Sequence, residues 1–299
     1  MNDASVATRK WHPLLALLAG SVCISFSPIF IKVANVSPDI AGFYRMLFAG
    51  LSLLVLFLLQ RGMVNAARRP KLLLSLCGLF LAIDFMCWHR SIHLVGPGLS
   101  TLLANFQVFF TAVLSYFILK EKITRLFLVA VIMALCGLLF ITGVDWNVLA
   151  PGFKLGVALG LLTAIFYSGY IMLLKESMNH SSVSGVFAML VISITGTVSL
   201  GAVGSATGAS FVIPDTGSLF ALLGVGVLST TIGWSLISSA IKHVPATHAG
   251  LVLLLQPALA FIWDVLLFDR PTGIYEVFGI MLILSAIYIG SYRKQVRRT

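Results

Sequence analysis

The sequence predicts an all-α integral membrane protein: ten transmembrane helices arranged as two inverted five-helix repeats, with both termini cytoplasmic. Three observations predict it. The 299 residues are 59% hydrophobic and only 10% charged, whereas a soluble domain carries about 25% charged residues. The apolar residues gather in ten runs of roughly twenty, each long enough to cross the hydrocarbon core as a helix. Matching residues recur in the same order along the two halves of the chain. So little charge cannot solvate the surface of a water-soluble fold, which excludes an ordinary cytosolic enzyme and a disordered chain.

The first run, 13–34, follows Arg9 and Lys10 and so has the outline of a signal peptide. It continues to Lys32 without a convincing small-residue cleavage site, so it is read as a retained first span. The second (39–59) and third (72–93) begin behind Pro38 and Pro70, and the fourth (98–118) behind Pro97. The fifth is 125–143. The sixth, 155–175, follows Pro151 and is entered through Gly152, Gly156 and Gly160. That spacing lets two backbones approach closely, and is read as packing within one chain. The seventh is 184–203. The eighth (217–240), ninth (247–267) and tenth (273–292) begin behind Pro214, Pro245 and Pro271. Proline does least harm at a helix start, where the amide has no intrahelical acceptor. Only Pro28 and Pro257 fall inside spans; they are expected to kink them and to free the carbonyls of Ile24 and Leu253.

Orientation follows from the basic residues. With the N-terminus inside, fifteen of the twenty lysines and arginines fall on the cytoplasmic side; the other five are Lys32, Arg45, Arg90, Lys154 and Arg270. The net charge of +10 is therefore a topology signal, helped by anionic lipid, and not a nucleic-acid surface. Lys32, Arg45 and Arg90 are expected near outer helix ends, where they meet a carboxylate or, the simpler reading, snorkel to headgroups. The organisation is a cytoplasmic segment 1–12, a first repeat 13–147, a second, inverted repeat 148–292 and a basic cytoplasmic tail 293–299. Cys23, Cys77, Cys87 and Cys136 lie in apolar runs without CxxC spacing and are read as free, buried thiols.

The repeat is clearest when 94–124 is set against 242–272. Pro97 meets Pro245, Glu121 meets Asp269, and Thr124 meets Thr272, while Gln107 meets Gln256 after a one-residue slip. Earlier, Lys32 matches Lys175 and Gly42 matches Gly185. Five is an odd number of crossings, so the second copy enters the membrane upside down. Such a pair typically holds a substrate site near the midplane, where the copies meet. The alternative is a duplicated scaffold that transports nothing.

Gln107 through Glu121, Gln256–Pro257 through Asp269, and the first-span segment FSPIFIKVA (26–34) resemble the drug/metabolite transporter superfamily, specifically its EamA-type ten-helix exporters. Two departures stand out: Val108 occupies a position where the family often has proline, and half two is one residue shorter between motif and acidic turn. The resemblance implies a bacterial inner-membrane exporter of small metabolites, most like exporters of amino acids, aromatic ones included, working by alternating access. A multidrug or cation exporter of the same fold is the alternative, and a passive pore is a reading from another class.

Polar side chains at bilayer depth are costly and are functional candidates by default. Those near span centres are Ser25, Asp84, Asn105, Gln107, Tyr167, Thr230, Thr231 and Gln256. Asp84 is the only carboxylate near a span centre. It is the candidate for proton coupling, or else a structural partner of His89 or Arg90. Trp88 lies one turn further on the same face, as a stacking surface for substrate or an interfacial anchor. Gln107 and Gln256 occupy equivalent places, and an amide both donates and accepts, so it can hold a zwitterion or simply tie helices together. Tyr167, Tyr170 and Trp234 offer apolar faces with polar handles for an aromatic-tolerant pocket, or face lipid. Pro28 and Pro257 are hinge candidates or tolerated kinks. No phosphate loop, HExxH or GxSxG motif occurs, so no catalytic residues, metal or cofactor are expected. The expected partners are a small-molecule substrate and membrane lipid, with no nucleic acid, and a single chain suffices for this reading.

Overall fold

The computed structural model describes residues 13–60, 68–142, 152–179, 183–268 and 272–291. The terminal segments 1–12 and 293–299, the repeat boundary at 147/148, Pro151, Pro271 and the acidic turn at Asp269 lie outside the described residues. The regular secondary structure of the described residues is all helical, with no strand. In chain order they form α1 (Pro13–Ser25), α2 (Ser27–Val33), α3 (Pro38–Leu59), α4 (Arg68–Asn105), α5 (Gln107–Ile118), α6 (Arg125–Thr142), α7 (Phe153–Met178), α8 (Gly185–Ala206) and α9 (Thr216–Gly224). A π-helical segment, Val225–Trp234, follows, then α10 (Ser235–Ile241), α11 (Ala246–Leu253), α12 (Leu255–Phe268) and α13 (Ile274–Ser291).

Among the described residues, eight stretches are long and apolar enough to cross a membrane, and Arg125–Ile141 and Ile274–Gly290 are shorter apolar helices. The helix starts follow the chemistry of their first residues. Pro28 and Pro38 sit in the first turns of α2 and α3. The Ser184 hydroxyl caps α8 by accepting from the Phe187 amide, and Asp215 caps α9 by accepting from that of Ser218.

α4 is continuous in backbone conformation over 38 residues, yet it is not one straight rod. Ser100 Oγ donates to the Trp88 carbonyl at 3.4 Å, although residues twelve apart in a straight helix stand about 18 Å apart. Ser91 and Leu103 also both lie against Gly160. The chain therefore doubles back between them, and Arg69–Val95 and Ser100–Ile118 run as separate candidate spans.

The helices pack in exchanged pairs. α6 lies on α13, α3 on α8 and α5 on α11, each a span of one half against the matching span of the other. The packing of α4 on α7 is mirrored by that of α1 on the π-helical segment and α10. This is the pattern a two-fold relation between halves produces. Gly156 presses on Leu94 and Val95, and Gly160 on Leu103, so the small-residue stripe of the sixth span packs within the chain. Leucines, isoleucines, phenylalanines and valines such as Leu58, Ile132, Phe117 and Val198 cover the outside, where apolar side chains are at no disadvantage in lipid. Cys136 belongs to this outer face and Cys23 is half-buried, so only Cys77 and Cys87 are buried as the sequence suggests.

Candidate functional site

A cavity of about 650 Å³ opens between the halves, lined by side chains of α1 to α7, the π-helical segment, α11 and α12. Ser25, Asp84, Trp88, Asn105 and Gln107 from the first half lie on its wall, and Tyr167, Trp234 and Gln256 from the second half lie there with them. Pro28 and Pro257 also line it. Tyr170 does not. It is fully buried behind the wall, edge-on to Trp234 with centroids 5.0 Å apart, and backs the Tyr167 ring at 5.9 Å.

The three amides are not equivalent in their bonding. Gln107 Nε2 donates to the Gly250 carbonyl at 3.2 Å, and its Oε1 accepts from Thr111 at 3.3 Å. It ties α5 to α11, and its amide is largely spent on protein. Asn105 Nδ2 donates to Thr101 O in its own helix at 2.8 Å. The buried Gln256 Nε2 has no partner among the described residues. An unsatisfied buried donor costs about 1–3 kcal/mol, and a ligand acceptor would relieve that. The Ser25 hydroxyl is positioned by Trp263, whose Nε1 donates to it at 2.8 Å while the ring stacks on Phe26 at 4.6 Å.

The position of Arg45 decides between its two sequence readings. The side chain does not snorkel to headgroups but lies on the cavity wall, 7% exposed, with Nε donating to Thr230 Oγ1 at 2.9 Å. Its guanidinium lies over the Phe85 ring, 5.3 Å from the centroid. Arg45 is about two turns inside α3 on the face that meets the π-helical segment, so the chain turns it inward to a hydroxyl. Lys32 also lines the cavity, with its ammonium 3.9 Å from the Phe268 ring centroid. Arg90 is exposed at the surface, as expected. Asp84 is 5% exposed, and His89 pairs with Asp39 at 3.1 Å, not with Asp84.

The chain matches the model of the EamA-like transporter family twice, over residues 11–143 and 154–292. The chain belongs to this family. The pseudopaline exporter CntI of Pseudomonas aeruginosa is 22% identical over 285 residues, covering 94% of this chain and 96% of that one. A probable amino-acid metabolite efflux pump of Salmonella typhimurium is 25% identical over 214 residues, covering 68% and 70%. An uncharacterized transporter of Clostridium kluyveri is 26% identical over 237 residues, covering 74% and 73%. One solved crystal structure superposes with a TM-score of 0.80 at 16% identity, covering 93% of this chain and 96% of that one; at that identity it shows the fold. The protein is thus a multi-pass membrane transporter of the drug/metabolite transporter superfamily.

Three features of this EamA-family protein emerge only in the folded chain. The π-helical segment interrupts the eighth span, and its wider turn sets Thr230 Oγ1 3.2 Å from the Val225 carbonyl and against Arg45. Second, the fourth span breaks at Phe106, where Phe106 N bonds Leu103 O at 3.1 Å. The same tight turn recurs in half two, where Leu254 N bonds Leu251 O at 3.1 Å ahead of Pro257. Half one makes its break with Val108 in place of the proline. Third, Glu121 ties the halves together beyond the C-terminal end of α5. It accepts from Lys175 Nζ at 3.0 Å, Ala246 N at 2.9 Å, Thr247 N at 3.3 Å and Thr247 Oγ1 at 3.1 Å. Lys175 also donates to Val244 O at 2.6 Å. The ordered matches of Lys32 to Lys175 and of Glu121 to Asp269 include both members of this latch.

Proposed function

We infer that the protein is a secondary-active exporter in the bacterial inner membrane, moving small metabolites, amino acids including aromatic ones, by alternating access. Ten spans, inverted repeats 13–147 and 148–292, and cytoplasmic termini (1–12 and 293–299) complete the reading. The observation that carries it is the cavity itself, in which polar groups from both halves converge between aromatic walls. The double family match and the exchanged helix pairs support the repeat, and the relatives named as exporters support the direction. Breaks beside Pro28 and Pro257 serve as hinges, because each lies on the cavity and frees carbonyls a moving helix can reuse.

Asp84 is the coupling group in this reading. A buried carboxylate that accepts either a proton or a substrate ammonium, but not both, couples the two movements in opposite directions. Trp88 and Tyr167 supply a stacking face, and Gln256 supplies the unsatisfied donor.

Uptake of labelled phenylalanine into liposomes holding the purified protein tests this. Flux is expected to saturate with concentration and to respond to an imposed pH gradient. Gln256→Ala and Trp88→Ala are each expected to lower phenylalanine flux by about tenfold, the scale of one lost hydrogen bond to a charged ligand or one lost stacking contact. Unchanged flux in both variants would remove these residues from the site. Flux that rises linearly with concentration would favour a pore.

A further inference from the structure

We propose that Arg45 is the carboxylate seat of the cavity and that, opposite Asp84, it restricts transport to substrates bearing a carboxylate beside their amine. This rests on the exporter reading above and goes beyond it by naming what the substrate must carry.

Arg45 and Asp84 are 7% and 5% exposed, and both line the cavity. Two opposite charges buried this deeply normally pair, because an unpaired ion in a low-dielectric interior is expensive. They do not. Among the described residues the ion pairs are Arg69 with Glu176, His89 with Asp39, and Lys175 with Glu121. No hydrogen bond among the described residues reaches the Asp84 carboxylate, and the only one to the Arg45 guanidinium comes through Nε.

The guanidinium is held and oriented nonetheless. Thr230 takes Nε on one side and the Phe85 face supports the plane. Both Nη groups are left for an end-on, two-pronged bond, the geometry in which arginine recognises a carboxylate. The seat is rigid because Thr230 is fixed by its π-helical turn through Val225 O. A zwitterion answers both poles at once: its carboxylate meets Arg45 and its ammonium meets Asp84. An amine without a carboxylate leaves a buried arginine unpaired, which the site penalises in the way that a polar pocket rejects an analogue lacking its partner group.

Direct titration of three probes into detergent-purified protein tests the proposal: phenylalanine, phenethylamine (no carboxylate) and 3-phenylpropionate (no amine). The wild type is expected to bind phenylalanine about 10- to 100-fold more tightly than phenethylamine. Arg45→Gln is expected to lower phenylalanine affinity by the same factor and not to weaken phenethylamine binding. Arg45→Lys keeps a charge without the fork and is expected to fall between. Wild-type protein that binds phenethylamine as tightly as phenylalanine would overturn the proposal without any variant. So would Arg45→Gln with wild-type affinity for phenylalanine. The two readings fail separately. Arg45-dependent binding of 3-phenylpropionate with no phenylalanine flux in liposomes would keep the carboxylate seat and remove the amino-acid exporter. Saturable phenylalanine flux in Arg45→Gln equal to the wild type would do the reverse. Protein that binds none of the three overturns both.

Discussion

Glu121→Ala is expected to lower the stability of the folded protein by about 3–5 kcal/mol, the scale of breaking a buried ion pair by removing one partner. The loss is large because the substitution strands more than one group. Lys175 is 8% exposed and keeps only the Val244 carbonyl, while the Ala246 and Thr247 amides at the start of α11 lose their acceptor. Equilibrium unfolding in mixed micelles measures it, with Glu121→Gln as the milder comparison. The pH dependence has a definite sign. Burial alone would raise the Glu121 carboxyl, but the Ala246 amide, the Lys175 ammonium and the Thr247 amide together hold it below its ordinary value near 4.5. A carboxyl lower in the folded than in the unfolded state contributes stability that is full above the unfolded value and is lost as pH falls through the folded one. Wild-type stability should therefore lose this contribution below about pH 4.5, and Glu121→Gln should lack that part of the acid dependence. Equal stability of Glu121→Ala and wild type at pH 7 would mean that the latch holds nothing.

Gly137→Leu and Gly279→Leu are expected to be the most damaging single changes in the helix packing. The two glycines face each other where α6 crosses α13. A Cβ on Gly137 would stand 2.5 Å from the Gly279 carbonyl oxygen, and a Cβ on Gly279 equally close to the Gly137 carbonyl. The obstacle is backbone on both sides, so relief requires the helices to part along a major contact between the halves. Overpacking costs about 1–3 kcal/mol where side chains can yield, and here they cannot, so the folded yield should collapse. Gly42→Ala is the control: its Cβ would meet Leu200 at 3.5 Å and Phe85 at 3.6 Å, ordinary contact distances. Size-exclusion profiles and thermal denaturation in detergent compare the three. A Gly137→Leu protein as monodisperse and stable as Gly42→Ala would contradict the packing described.

The helix boundaries were legible because they rest on local chemistry. Pro38 and Pro245 begin helices for the same reason in any context, whereas no helix boundary falls at Pro97: the backbone stays helical from Arg68 to Asn105, and the reversal shows in the Ser100–Trp88 contact. The aromatic wall was legible in part. Tyr167 and Tyr170 share a helical face, but only packing decides that Tyr170 stands behind Trp234 and not beside the cavity. The sequence leaves Arg45 open because its distance from the helix start fits a snorkelling side chain as well as an inward one. The choice is made by Thr230, 185 residues away. The same is true of Gln107 and Gln256. Their positions in the repeat are equivalent, but the Gly250 carbonyl occupies the first amide, while Nε2 of the second has no partner among the described residues. The π-helical segment has no residue pattern of its own here, and its contacts, Thr230 with Arg45 and Trp234 with Tyr167 and Tyr170, reach across the fold.

Counterflow in proteoliposomes tests the alternating-access claim most directly. Vesicles loaded with unlabelled phenylalanine should take up external labelled phenylalanine faster than empty vesicles and transiently above equilibrium, because a carrier returns loaded. Uptake that is indifferent to internal phenylalanine and proportional to the external concentration would contradict the account, since a continuous path through the membrane behaves that way and a cavity that opens to one side at a time does not.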